Sequence, residues 1–133
     1  MPRLSRLAIL ASLGALLLPG PALADCNNPQ TTREMRHCAA LEYERADTEL
    51  NKTYQAAQRS MRSLDRDLPN DLKGASASLL RAQRAWIPFR DSACETEGFQ
   101  FRGGTLEPLM VLTCKTHLTR QRSAQLEELI EPQ

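Results

Sequence analysis

A long stretch without glycine or proline constrains the fold of this chain more than any other feature. It extends from Thr31 to Leu68, and its apolar side chains recur mostly at steps of three and four residues. That spacing places them on one face of a helix. The face consists of Met35, Cys38, Tyr43, Ala46, Leu50, Tyr54, Ala57, Met61 and Leu64. Thr31 and Glu34 have the spacing of a capping box, so we predict one long amphipathic helix that begins near Thr31.

Two further helices are predicted after this stretch. The turn at Pro69-Asn70 precedes a second helix that begins between Asn70 and Ser78. Its predicted inner face consists of Leu79, Ala82, Trp86, Phe89 and Ala93. Pro88 lies inside this helix and predicts a kink.

The third helix follows a glycine-rich loop, Gly98 to Gly104, with Thr105 as its predicted cap. Its core side carries Met110, Cys114, Leu118, Leu126, Leu129 and Ile130. No segment alternates like a strand, and short connections favour antiparallel neighbours. We therefore predict an all-α, up-down-up three-helix bundle, with Leu50, Tyr54, Trp86 and Phe89 in its core.

The amino terminus has the pattern of a secretory signal peptide. Arg3 and Arg6 precede an apolar run from Leu7 to Leu18, and Ala22-Leu23-Ala24 supplies small residues for cleavage. The run has about a dozen apolar residues, whereas a membrane span needs roughly 20. We predict that residues 1–24 are a signal peptide and residues 25–133 a single domain in the periplasm or the medium. Because Asp25, and not Gly or Ala, precedes Cys26, we expect no lipid anchor.

Four cysteines remain in the predicted mature chain. An even number of cysteines in a small exported domain indicates disulfides. Three pairings are possible; we favour the two local ones, Cys26–Cys38 and Cys94–Cys114, while the alternatives stay open. His37-Cys38 with Cys114-x-x-His117 has the composition of a Cys2His2 metal site, but disulfides account for the same cysteines.

Charge and motifs exclude several classes of function. The predicted mature chain has 15 basic and 16 acidic residues, and this near-neutral balance argues against nucleic acid as the main partner. No second apolar run is present, so no membrane span is expected. No serine lies in a nucleophile-elbow pattern, so we predict a protein without enzymatic activity, metal or cofactor. Amphipathic helices serve a core and a dimer equally well, so the oligomeric state stays open.

Four ordered blocks of residues carry a resemblance to a known family. They are Glu34-Met35-x-x-Cys38, Ala46-Asp47-x-Glu49-Leu50-Asn51-x-x-Tyr54, Gln83-Arg84-x-Trp86-Ile87-x-Phe89-Arg90-Asp91-x-x-Cys94, and Gly103-Gly104-Thr105-x-x-Pro108-x-x-x-x-x-Cys114 with Leu118-Thr119-x-x-Arg122. This pattern resembles the LprI-like lysozyme-inhibitor family over Cys26 to Leu129. The resemblance implies a small, exported, helical protein whose partner is a lysozyme. Two features depart from the family: Pro88, and the absence of the lipoprotein signal of the family's namesake.

The candidate partner-binding residues are Phe99, Phe101 and Arg102 in the glycine-rich loop, with Arg90 in the second helix. An inhibitor must block the lysozyme cleft, where two carboxylates act. The phenylalanines would supply contact area and Arg102 would reach a carboxylate. The near-neutral net charge offers no strong attraction towards a cationic enzyme. The alternatives are a loop that only connects helices, and an envelope module that binds a protein other than a lysozyme.

Overall fold

The computed structural model describes residues 25–130, and these form three α-helices. Helix α1 spans Thr32–Asp67, α2 spans Ala75–Gly98 and α3 spans Glu107–Glu127. Short 3-10 helices at Asn70–Leu72 and Phe99–Phe101 lie in the two connections, and residues 25–130 contain no strand. The prediction of an all-α three-helix bundle is confirmed. The predicted signal peptide lies outside the described residues.

Helix α1 begins at the predicted capping box. The Thr31 hydroxyl accepts a hydrogen bond from the Glu34 N–H at 3.2 Å. The Glu34 carboxylate accepts in return from the N–H groups of Gln30 at 2.7 Å and Thr31 at 3.0 Å. These backbone donors lower the pKa of Glu34. The first turn of α1 is thereby fixed by its own neighbours in the sequence.

Helix α2 is capped by a residue near the end of α1. The Asp65 carboxylate accepts hydrogen bonds from the backbone N–H groups of Gly74, Ala75 and Ser76 at 2.8 to 3.0 Å. Those donors lower the pKa of Asp65. Gly74 has a φ of 138°, a conformation that favours glycine, and it allows the chain to turn into α2. The start of α2 therefore has no local capping pattern, and so the first residue of α2 could not be predicted from the sequence.

The hydrophobic core is small and lies where the three helices meet. Leu50 and Ala57 of α1, Leu79 of α2 and Leu126 of α3 are its buried residues. Tyr54, Met61 and Trp86 are half-buried and pack against them. Leu50, Tyr54 and Trp86 thus lie at positions that the helical pattern predicts for the core.

The inward face of α2 differs from the predicted one. The prediction that Phe89 belongs to the core is wrong, because its side chain is 61% exposed. The buried positions are Leu79, Gln83, Arg90 and Cys94, with Trp86 half-buried between them. The two polar members of this face find partners on the other helices, and this rotates Phe89 and Ala82 outward.

Both disulfides have the predicted local connectivity. Cys26 is bonded to Cys38, and Cys94 to Cys114, with Cα atoms 5.5 and 5.4 Å apart. The first bridge ties the amino-terminal turn to α1, and the second ties the end of α2 to the start of α3. In an up-down-up bundle these segments share one end of the molecule. That end also carries the glycine-rich loop.

Candidate partner-binding site

The loop between α2 and α3 is held tightly against α3 at its start. Gly98 is buried, and a Cβ atom added there would lie 2.6 Å from Cγ2 of Val111. Only glycine fits so close an approach without a shift of the neighbouring side chain. The Cys94–Cys114 bridge crosses between the same two helices one turn earlier. The beginning of the loop is therefore fixed by both packing and a covalent bond.

A single carboxylate clamps the middle of the loop. Glu107, the first residue of α3, accepts a hydrogen bond from the Gly103 N–H at 2.8 Å through one oxygen. Its other oxygen pairs with Nη1 of Arg102, also at 2.8 Å. Gly103 has a φ of 78°, which glycine adopts without strain. The clamp holds the loop backbone and the Arg102 side chain to the same point.

The loop presents an aromatic ring and a cation to solvent. Phe99 is 54% exposed, and the Arg102 guanidinium lies over its ring at 4.4 Å from the centroid. Phe101 is half-buried and contributes less surface. Of the residues proposed for partner binding, the structure therefore brings Phe99 and Arg102 together on the surface. Phe101 lies in the same loop but partly turned away from solvent.

Arg90 does not present a free surface to a partner, contrary to the sequence-based prediction. It is only 5% exposed. Its guanidinium pairs with Asp47 of α1 at 3.2 Å and with Asp91 at 3.0 Å, and it donates to the Thr119 hydroxyl of α3 at 3.4 Å. The rings of Tyr43 and Trp86 lie 5.3 and 5.2 Å from it, within the range of cation–π attraction.

The surroundings of Arg90 keep it charged. Burial alone would lower the pKa of its guanidinium, but its hydrogen bonds to Asp91 and Asp47, with the electrostatic effects of Tyr43 and Asp91, outweigh burial and raise it. Burial would raise the pKa of Asp91, but Arg90 and Lys115 lower it. The Nζ atom of Lys115 in α3 lies 3.2 Å from Oδ1 of Asp91. This network, which we call the Arg90 cluster, joins all three helices.

The Arg90 cluster includes residues that sequence reasoning did not single out. Asp47 is 43 positions from Arg90 in the chain, and Thr119 is 29 positions away. A signal was present, because a charged residue that occupies a core-facing helical position needs buried partners. Because Phe89 was assigned to the inner face of α2, Arg90 was not considered a core-facing residue.

Neither a metal site nor a membrane span is found in residues 25–130. No three His, Cys, Asp or Glu side chains there are grouped to hold a metal ion. All four cysteines are in disulfides, and both histidines are exposed. No helix in this part of the chain combines the length and the apolar character that crossing a membrane requires.

Comparison with known proteins gives a consistent set of relatives. An uncharacterized protein of Rhizobium meliloti (strain 1021), R02472, is 43% identical over 110 residues, which cover 80% of this chain and 79% of that protein. The uncharacterized protein YecT of Escherichia coli (strain K12) is 30% identical over 116 residues, 80% of this chain and 72% of YecT. No solved structure matches the chain at a significant level. The family model described as lysozyme inhibitor LprI matches residues 24–126. This chain therefore belongs to the LprI lysozyme-inhibitor family.

Proposed function

We propose that this protein inhibits a lysozyme and that it contacts the enzyme through the loop between α2 and α3. We count this loop from Gly98, the last residue of α2, to Glu107, the first residue of α3. The observation that carries the proposal is the exposed pair of Phe99 and Arg102 on a loop that is fixed at both ends. Membership of an inhibitor family supplies the class of partner. The two disulfides and the predicted signal peptide support action outside the cytoplasm.

Rigidity of the loop favours tight binding. Ordering a flexible loop on association costs free energy, and a loop already ordered in the free protein avoids that cost. Here the Gly98 contact, the Cys94–Cys114 bridge and the Glu107 clamp order the loop before any partner arrives. Aromatic and arginine side chains are also the types that most often dominate binding energy.

The distribution of charge along the chain supports the loop as the contact surface better than the net charge of the predicted mature chain does. Residues 58–84, at the far end of the bundle, hold six basic and three acidic residues. The rest of the predicted mature chain therefore has nine basic residues against 13 acidic ones. The exposed Glu95 and Glu97 lie in the last turn of α2, next to the loop. Lysozymes are usually cationic, so the acidic excess outside residues 58–84, with Glu95 and Glu97 beside the loop, favours attraction towards such an enzyme.

Arg102 offers a chemical route to inhibition. Its partner Glu107 is largely buried, but Arg102 itself is 58% exposed. Because Arg102 lies at the surface, its pair with Glu107 contributes little, and Glu107 keeps the hydrogen bond from the Gly103 N–H when Arg102 pairs with another carboxylate. The lysozyme cleft contains two catalytic carboxylates. A guanidinium paired with one of them, with Phe99 beside it, would exclude the polysaccharide from the reacting position.

The test is a bacterial-cell turbidity assay with chicken-type, goose-type and invertebrate-type lysozymes. We expect saturable inhibition of at least one class by the oxidised protein. Phe99→Ala and Arg102→Ala should each weaken inhibition by about tenfold or more, because a binding hot spot is worth at least about 1.4–2 kcal/mol. Phe89→Ala is the matched control, since Phe89 is a similarly exposed phenylalanine on the outer side of α2.

Two results would contradict the proposal in different ways. No inhibition of any class at micromolar excess would refute a lysozyme of these classes as the partner, and would favour another envelope protein. Inhibition that is lost in Phe89→Ala but retained in Phe99→Ala would keep the activity and move the contact surface from the loop to α2.

A further inference from the structure

The end of the molecule opposite the loop is formed mainly by the paired helices α1 and α2. Leu126, near the end of α3, packs in one cluster with Leu50 and Ala57 of α1 and Leu79 of α2. Helix α1 continues ten residues beyond Ala57, to Asp67, which corresponds to about 15 Å of helix. The chain then turns and returns as α2, which pairs with α1 through Gln58 and Ser76. We call residues 58–84 the hairpin end.

The hairpin end is strongly basic. Its six basic residues are Arg59, Arg62, Arg66, Lys73, Arg81 and Arg84. None of them is among the ion pairs formed within residues 25–130. Of its three acidic residues, Asp65 is occupied by the backbone N–H groups at the start of α2. The other two, Asp67 and Asp71, are exposed, so the hairpin end presents six cationic side chains to solvent against two free carboxylates.

Exposed leucines lie among these cations. Leu72, at the turn of the hairpin, is 62% exposed, and Leu80 of α2 is also exposed. Arg59 and Arg62 line an open groove of about 480 Å³ together with Leu80. Arg66 follows Arg62 by four residues and Arg59 by seven, so these three arginines share one side of α1. The same surface thus offers both guanidinium groups and aliphatic side chains.

That combination matches the interface of an anionic lipid bilayer. Arginines attract the headgroup phosphates, and they pair with phosphate oxygens in bidentate geometry. Leucines at the same surface gain free energy when they enter the boundary between headgroups and acyl chains. A nucleic-acid backbone would engage the arginines but would leave the leucines in water. We propose that the hairpin end docks this protein peripherally on an anionic phospholipid surface, with the loop directed away from the membrane.

This inference is independent of the proposed lysozyme inhibition, because it rests on the opposite end of the bundle. The test is co-sedimentation of the full mature protein with vesicles of phosphatidylglycerol and phosphatidylcholine, compared with vesicles of phosphatidylcholine alone. At about 0.1 M salt we expect at least tenfold tighter binding to the anionic vesicles, and weaker binding as salt rises.

Two double variants, each reversing the charge of two arginines three residues apart, distinguish binding by the hairpin end from an effect of net charge alone. R59E/R62E should lower binding to anionic vesicles at least tenfold. R33E/R36E makes the same change at exposed residues near the start of α1, in the acidic part of the molecule, and should change binding less than twofold. Leu72→Ser should weaken binding severalfold at unchanged charge. Circular dichroism of each variant shows whether it is folded.

Three results would overturn the inference. The first is the absence of binding to anionic vesicles, or equal binding to phosphatidylcholine alone. The second is an equal loss in R33E/R36E and R59E/R62E. The third is binding that does not change in Leu72→Ser, because phosphate attraction alone would then account for it without docking of the leucines.

Discussion

Replacement of Arg90 by alanine should destabilise this protein more than any other single arginine substitution in the described chain. The change removes the guanidinium that pairs with Asp47 and Asp91 and donates to Thr119. It also removes the cation held between the rings of Tyr43 and Trp86. The three helices then lose the polar contact that they share.

The expected loss in the free energy of unfolding follows from how deeply Arg90 and its two aspartate partners are buried. Removing one partner of a buried ion pair costs about 3–5 kcal/mol, because a charge is left without compensation. Here the side chains of Asp47 and Asp91 are 41% and 43% exposed, so water can solvate them again. This places the loss at the low end of the range, at about 3 kcal/mol. For a domain of this size, such a loss lowers the Tm by about 12–15 °C.

The assay is urea unfolding followed by circular dichroism, with the disulfides intact. Arg90→Lys keeps the charge but not the planar fork, so it should recover only part of the loss. Arg81→Ala, an exposed arginine of the same helix, should change the free energy of unfolding by less than about 0.5 kcal/mol. A loss below that value in Arg90→Ala would refute the structural role of the Arg90 cluster. A folded Arg90→Lys protein that no longer inhibits would instead point to contact with the partner.

Three further predictions concern capping, the second disulfide and the loop. Asp65→Asn should lower the Tm at pH 7. The backbone donors lower the pKa of Asp65 in the folded protein, so its contribution to stability is fully present above the ordinary Asp pKa of about 3.9 and is lost as pH falls through the lowered pKa. The difference in Tm from the wild type should therefore shrink as pH falls below about 4, and a constant difference would contradict the capping role. Replacing Cys94 and Cys114 together by serine should cost about 3 kcal/mol in urea unfolding, and a loss below about 1 kcal/mol would show that this bridge constrains little. Gly98→Ala should cost about 1–3 kcal/mol through overpacking and weaken inhibition, and wild-type values of both would contradict the close packing of the loop.

Features fixed by neighbouring residues were predictable from the sequence. The capping box of α1, the turn after Leu68 and the glycine-rich loop all depend on residues within a few positions of each other. The favoured local disulfide pairing is observed, although an up-down-up bundle brings all four cysteines to one end and so left the other pairings open at the level of sequence.

Features decided by distant residues were not predictable. Helix α2 is apolar on more than one side, and Leu79 and Trp86 fit both the predicted and the observed inward face. Its rotation is settled by Asp47 and Thr119, which meet Arg90 only in the folded chain. The candidate loop residues were named from sequence, but the Glu107 clamp that orders them depends on the start of α3. The basic hairpin end could be recognised as a separate surface only from the fold, in which α3 ends at Glu127 near Leu79 and leaves the turn between α1 and α2 uncovered.

Amide hydrogen exchange of this protein, measured with and without a lysozyme that the turbidity assay finds to be inhibited, tests the central claim most directly. The claim is that the loop from Gly98 to Glu107 forms the contact. The account predicts added protection within this loop and the adjoining turns of α2 and α3, with exchange at the hairpin end unchanged. Protection confined to the hairpin end or to the outer side of α2 around Phe89, with the loop unaffected, would contradict it.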